Sequence, residues 1–244
     1  MICAIHQPNF FPWLGYFDKI YRADVFVFMD SVDYPKSSKT MSSWTNRVQL
    51  LINRHKTWVH CPIRREHGIQ KICDVEIDDT QDWRKRLLRT IQFNYAKSPF
   101  YAVVMPFVEE WVNGKYRYIA DYNIAVIKDI SKMFHLTTKF VRQTDLLTEK
   151  HSTELLVEIT KRVGCDTYLC GGGAGGYQQD EMFPDNGLLL QYQNFVPYEY
   201  NQGRQEFVGG LSILDALFHQ GIAGVEQSLK MGMDSLGHMD SIEG

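Results

Sequence analysis

Three groups of side chains in this 244-residue chain could do chemistry, and each directly follows an apolar run. His6 and Gln7 come after Ile2–Ile5 and before Pro8 and Pro12. Imidazole exchanges a proton near neutral pH, and the neighbouring amide can both donate and accept a hydrogen bond. The plainer alternative is a histidine held by a backbone carbonyl for structure alone. Asp30 ends Val25–Met29. Its carboxylate can orient His6, hold a metal or bind a sugar hydroxyl, as can Asp33 nearby, or Asp30 can simply be a turn residue. The third group is Gly171-Gly-Gly-Ala-Gly-Gly-Tyr177, after Thr167–Cys170. Glycines let backbone approach a ligand, and their N–H groups can cradle an anion. The run lacks the Gly-Lys-Ser/Thr of a phosphate loop and is not a GxGxxG motif after the first strand.

A few polar residues outside these groups extend the candidate set. Asn46 and Arg47 can grip a carboxylate or phosphate. Ser212 and Asp215 open a late helix whose N-terminus favours an anion, although a cap and a first-turn charge are the ordinary roles there. Cys170 has a nucleophilic atom, but a buried thiol is the commoner role.

The hydrophobic pattern indicates the elements that must position these groups. Ile2–Ile5 reads as a buried strand. Leu14, Phe17, Ile20 and Tyr21 recur at helical spacing, and Val25–Met29 is a second buried strand, so the first thirty residues form a βαβ unit. Ser31–Thr45 is read as a surface loop. Arg47–Ile52, Thr57–Ile63 and Lys71–Ile77 are expected to make a small antiparallel extension of the main sheet. Residues 78–134 read as three helices, the first capped by Asp79 or Thr80 and carrying Arg84, Lys85, Arg86 and Arg89 on a solvated face. Strand and helix then alternate: Thr138–Arg142, Glu154–Val163, Thr167–Cys170, Leu188–Gln193, and a helix from Ser212 to His219 with Gly221 beyond it. The expected fold is α/β with a mostly parallel, Rossmann-like sheet. It forms one domain over 1–225, with β (about 45–77) and helical (78–134) insertions and a loose tail over 226–244.

Composition sets limits on function. A net charge of -3 gives no broad electrostatic case for nucleic acid. No apolar run approaches the roughly 18 residues that span a bilayer, and the N-terminus lacks a signal-peptide pattern, which points to a cytoplasmic protein without membrane insertion. Five cysteines at irregular spacing, without a CxxC pair, point away from a disulfide framework or a zinc site. No residue pattern calls for a cofactor.

Two resemblances follow from particular stretches. Trp13-Leu-Gly-Tyr16 keeps the glycine of the HxGH nucleotidyltransferases in a similar strand–loop–helix setting, which makes a nucleotidyltransferase/HUP-like sheet one form of the expected fold. Both histidines of that motif are replaced, so adenylyl transfer by the usual residues is not expected. Ser212-Ile-Leu-Asp215 lies where that class keeps a second phosphate-contacting motif, without its basic residue. The longer match is His6-Gln-Pro-Asn-Phe-Phe-Pro-Trp-Leu-Gly-Tyr-Phe-Asp-Lys19, then Ala23–Asp30, Asn46-Arg47, Tyr168–Gly172, Tyr177 and Leu211–Asp215. Together these resemble the WbqC-like family over roughly residues 1–221. Cys170 stands where a small residue such as serine is expected, which weakens a nucleophilic role.

The resemblance implies a bacterial cytoplasmic protein of surface-polysaccharide or O-antigen synthesis, transferring glycyl or similar acyl groups to amino sugars. Its partners would be a nucleotide-linked sugar and an acyl or aminoacyl donor. On this reading His6 and Asp30 are catalytic. Gln7, Tyr16, Asn46, Tyr177, Ser212 and Asp215 bind substrate, and Arg47, Gly171 and Gly172 meet phosphate. Two alternatives stay open: an ATP-using nucleotidyltransferase or ligase with a remodelled HxGH site, and a non-catalytic partner of polysaccharide enzymes.

Overall fold

Strands covered on both faces read as unbroken apolar runs, and three such runs form the centre of this fold. A computed structural model describes residues 1–35, 43–66, 68–172, 178–204 and 206–237. The chain begins with β1 (Ile2–His6), α1 (Leu14–Tyr21) and β2 (Val25–Phe28). It continues through β3 (Arg47–Ile52), β4 (His55–His60), β5 (Ile63–Arg64) and β6 (Glu76–Ile77). Three helices follow, α2 (Trp83–Tyr95), α3 (Tyr101–Asn113) and α4 (Ile119–Met133). Alternation then resumes with β7 (Lys139–Arg142), α5 (Ser152–Arg162), β8 (Thr167–Cys170), α6 (Met182–Asp185), β9 (Leu189–Tyr192) and α7 (Ile213–Gly237).

Five strands make one parallel sheet in the order β7-β2-β1-β8-β9. Every residue of β2 and β8 is buried, as are the three inner residues of β1. Because side chains alternate across a strand, the sheet feeds two cores. Ala4, Phe26, Phe28 and Leu169 join the larger one, with α1, α2, α3, α4 and α7. Cys3, Ile5, Val25, Val27 and Tyr168 join the smaller, with α5. This is the expected Rossmann-like α/β architecture.

The inserted β segments differ from expectation. β3 and β4 pair with each other, and β5 pairs with β6; each pair is a separate two-stranded sheet rather than an extension of the main one. Asn53 and Arg54 both take positive φ at the β3–β4 turn, which suits the right-handed twist of a two-residue hairpin. The expected strand over 71–77 is instead a 3₁₀ turn, Ile72–Asp74, followed by the short strand β6. Helix α2 is not capped by Asp79 or Thr80: Asp78 instead accepts from Thr80 and Gln81 in the preceding turn, and Asp79 accepts from the Trp83 indole.

Helix α7 runs past residue 225, to Gly237, and buries Val225 and Leu229. It is broken at Gly221, where φ 70° and ψ 177° belong to a region open essentially to glycine. A Cβ at this position would also lie 2.6 Å from the Phe100 ring. Gly221→Ala is therefore expected to cost about 2 kcal/mol or more, from backbone strain and overpacking together. At about 2–4 °C per kcal/mol, thermal unfolding should register a fall of at least roughly 4 °C; an unchanged melting temperature would contradict the account.

Candidate functional site

In a parallel sheet the chain leaves neighbouring strands on opposite sides where the strand order reverses, and a crevice opens at the carboxyl ends there. In this sheet the reversal falls between β1, which leads on to β2, and β8, which leads on to β9. The residues that leave those two strands are His6-Gln7 and Gly171-Gly172. Both pairs line one cleft of about 600 Å³, together with the α1 cap Trp13, Gly15, Tyr16 and Lys19 of α1, Tyr168, and Gln193–Phe195 beyond β9. His6, Gln7 and the first two glycines of the run thus share one cleft.

His6 is held by its neighbours. Nδ1 lies 3.1 Å from the Gln7 carbonyl oxygen, which can only accept, so the proton sits on Nδ1 and Nε2 keeps its lone pair. The Tyr16 hydroxyl donates to the same carbonyl at 2.9 Å. The imidazole packs edge-on against Tyr16 and Trp13, with ring centres 4.8 and 5.8 Å away. Burial, with the positive charge of Lys19 added to it, holds the imidazolium pKa down to about 3. The ring is neutral at physiological pH.

Lys19 was not among the residues singled out from the sequence, yet it gives the cleft its charge. Its side chain is buried, and Nζ donates to the Ile5 carbonyl at 2.9 Å. The adjacent Asp18 does not serve it: that carboxylate is taken by Arg22 at 2.8 Å and by Gln193 at 2.7 Å. No ion pair involving Lys19 occurs among the described residues. Burial lowers its pKa to about 8, so it remains mostly charged at pH 7. A buried ammonium with one backbone acceptor and the face of the Tyr168 ring 5.9 Å away, in a cleft also lined by glycines, suits an anion.

The remaining expected residues lie elsewhere. Asp30 is fully buried and accepts from Arg142 Nε at 2.7 Å and from the Thr144 backbone and hydroxyl; it fastens the end of β2 to the end of β7 and does not line the His6 cleft. Asn46 is occupied by Tyr34 at 2.7 Å and the Cys61 carbonyl at 3.0 Å. Arg47 stacks on Trp58, 4.0 Å from the ring centre. Ser212 donates to the Phe11 carbonyl and accepts from the Leu214 N–H, as a helix cap does. Asp215 is buried among Tyr95, Tyr200 and Gln202. Tyr177 lies outside the described residues, as do 173–176. Cys170 is buried, and burial raises its thiol pKa.

The space beside Gly15 bears on the HxGH comparison. A Cβ there would lie 2.7 Å from the Phe195 ring and 2.8 Å from the Trp13 indole nitrogen. That side of the glycine is filled by the protein's own aromatics, and a nucleotide approaching it would have to displace them.

A family model for the WbqC-like protein family matches residues 7–227, and the chain belongs to that family. A relative from Mycobacterium tuberculosis, the uncharacterized protein Rv1507c, is 27% identical over 223 residues, covering 89% of this chain and 93% of its own length. No solved structure matches. No helix among the described residues is long and apolar enough to cross a membrane.

The depressed imidazole pKa predicts a pH dependence of stability. Below the unfolded value of about 6.5, the unfolded chain binds a proton at His6 that the folded chain refuses down to about 3. The contribution is therefore complete above pH 6.5 and is lost as pH falls from there toward 3. Urea unfolding between pH 7 and 4 should show a steeper loss for the wild type than for His6→Asn, by up to about 1.4 kcal/mol per pH unit. Parallel curves would contradict the assigned protonation state.

Proposed function

We propose that this protein transfers an acyl or aminoacyl group, such as glycyl, to the amine of a nucleotide-linked amino sugar in the cytoplasm, in bacterial surface-polysaccharide synthesis. The biological setting is the one the family resemblance implies. The observation that carries the chemistry is the pairing of a neutral imidazole with a buried ammonium that has no carboxylate partner among the described residues, in one crevice at the strand-order reversal.

On this reading Lys19 and the glycine backbone at Gly171-Gly172 receive the phosphate of the sugar nucleotide, a role that Arg47, stacked on Trp58, does not fill. Gln7 and the aromatic walls Trp13, Tyr16 and Phe195 set the sugar's orientation. The amine attacks the carbonyl carbon of an activated ester or thioester. A C–N bond forms, His6 Nε2 takes the amine proton, and the proton passes to the leaving oxygen or sulfur as its bond to carbon breaks.

Substrate also conditions the base. An imidazole with pKa near 3 is a weak proton acceptor, and part of that depression comes from the Lys19 charge. An anion placed on Lys19 offsets that charge and raises the proton affinity of Nε2 in the loaded site. Asp30 acts at a distance, by holding the ends of β2 and β7 together.

The test is incubation of the protein with candidate acyl donors and UDP- or dTDP-linked amino sugars, with mass spectrometry of the products. His6→Ala is expected to lower the rate at least about 100-fold, the lower range of a general base. Lys19→Met is expected mainly to raise KM for the sugar nucleotide. Full transfer by His6→Ala would remove the imidazole from the mechanism.

A further inference from the structure

A second cleft, of about 550 Å³, shares no lining residue with the first. Its walls come from four separate parts of the chain: the β3–β4 turn, the end of α2 with the turn that follows, the loop over 201–204, and His219 of α7. Where these meet, the Ser98 hydroxyl oxygen lies 3.5 Å from His219 Nε2. His219 Nδ1 lies 2.9 Å from the Asp215 backbone carbonyl, which can only accept, so Nδ1 carries the proton and Nε2 faces the hydroxyl with a free lone pair. The Asp215 carboxylate stands 3.7 Å from the same Nδ1, where a charge formed on the ring would feel it. Three donors fix that carboxylate, Tyr95 at 2.9 Å, Tyr200 at 2.7 Å and Gln202 at 2.9 Å.

Hydroxyl, imidazole and buried carboxylate in this sequence of contacts make a nucleophile, its base, and a group that stabilises the protonated base. The arrangement is known by geometry and roles, not by order along the chain, and a hydroxyl–imidazole separation somewhat beyond hydrogen-bond ideal is common before substrate binds. Arg54, Lys97 and Arg204 line the same cleft, and no Asp or Glu does among the described residues. The expected substrate thus carries a negative charge beside its reacting carbonyl.

We infer that Ser98, His219 and Asp215 form a second reactive centre, which cleaves activated esters or thioesters bearing an anionic group. Ser98 Oγ attacks the carbonyl carbon and its proton moves to His219 Nε2. The bond to the leaving oxygen or sulfur breaks, and the leaving group takes that proton. Water, deprotonated by His219, then releases the acid and restores the serine. The inference does not depend on the reaction proposed for the His6 cleft.

The full-length protein, treated with a fluorophosphonate probe, is expected to gain one adduct on the peptide containing Ser98, located by tandem mass spectrometry. Ser98→Ala should abolish that adduct. His219→Ala should slow labelling of Ser98 about 100-fold or more, the range of a lost general base. His219→Asn, which keeps a donor for the Asp215 carbonyl, should slow it equally, and circular dichroism checks that each variant is folded. Anionic activated esters should be hydrolysed roughly 10-fold faster than neutral ones at low salt, with the preference reduced in Arg54→Ala. Absence of a Ser98 adduct in the wild type, or undiminished labelling in the folded His219 variants, would overturn the assignment; equal rates for neutral and anionic esters would overturn the substrate class.

Discussion

A single hydrogen bond from the Lys19 ammonium to the Ile5 carbonyl sets the terms for the crevice at the sheet's switch point. It brings a full positive charge to the end of β1, and the nearest carboxylate in sequence, Asp18, is turned away to Arg22 and Gln193. An isolated buried charge is costly, and proteins usually neutralise it or pair it. Here it borders an open cleft, where a ligand's charge can complete what the fold leaves unpaired. The same charge helps keep His6 neutral, so one unfavourable placement sets the protonation of its neighbour as well as the charge of the cleft.

Around that bond the structure is strongly over-determined. The loop from His6 to Trp13 passes through Phe11, whose φ of 41° is unfavourable for a residue with a side chain. Phe10 and Phe11 are buried against Trp83, Trp111 and Tyr122, and Asn123 donates to the carbonyls of Pro8 and Thr45. The helical insertion therefore acts as the mould in which the loop carrying His6 and Gln7 is set. Asp30 has a comparable structural role on the other side, joining Arg142, which also reaches Asp121 of α4.

Much of this was legible in the residues themselves. Apolar runs of four or five residues gave the central strands, and strand ends in an open α/β sheet gave His6, Gln7 and the glycines as neighbours. Lys19 was hidden because it lies on an eight-residue helix that is buried almost all round, so no polar face distinguished it from a surface lysine. Gln193 ends an expected strand and Phe195 follows in a stretch without periodicity, and only the folded chain brings them over Gly15. Asp30 and Asp215 were recognisable as important polar positions, but not their roles: a carboxylate after a strand or in a helix's first turn looks the same whether it faces a cleft or ties elements together. Ser98 and His219 are 121 positions apart, with no local pattern linking them.

The break at Gly221 divides α7 into two lengths with separate attachments. Asp215, Phe218 and His219 on the first length belong to the second cleft and the core beside it. Beyond the glycine, Val225 and Leu229 enter the larger core, and Glu226 meets His135 just after α4. A continuous rod would transmit any change in pitch or length at one end to the other. With a joint between them, each length settles against its own neighbours without dictating the direction of the other.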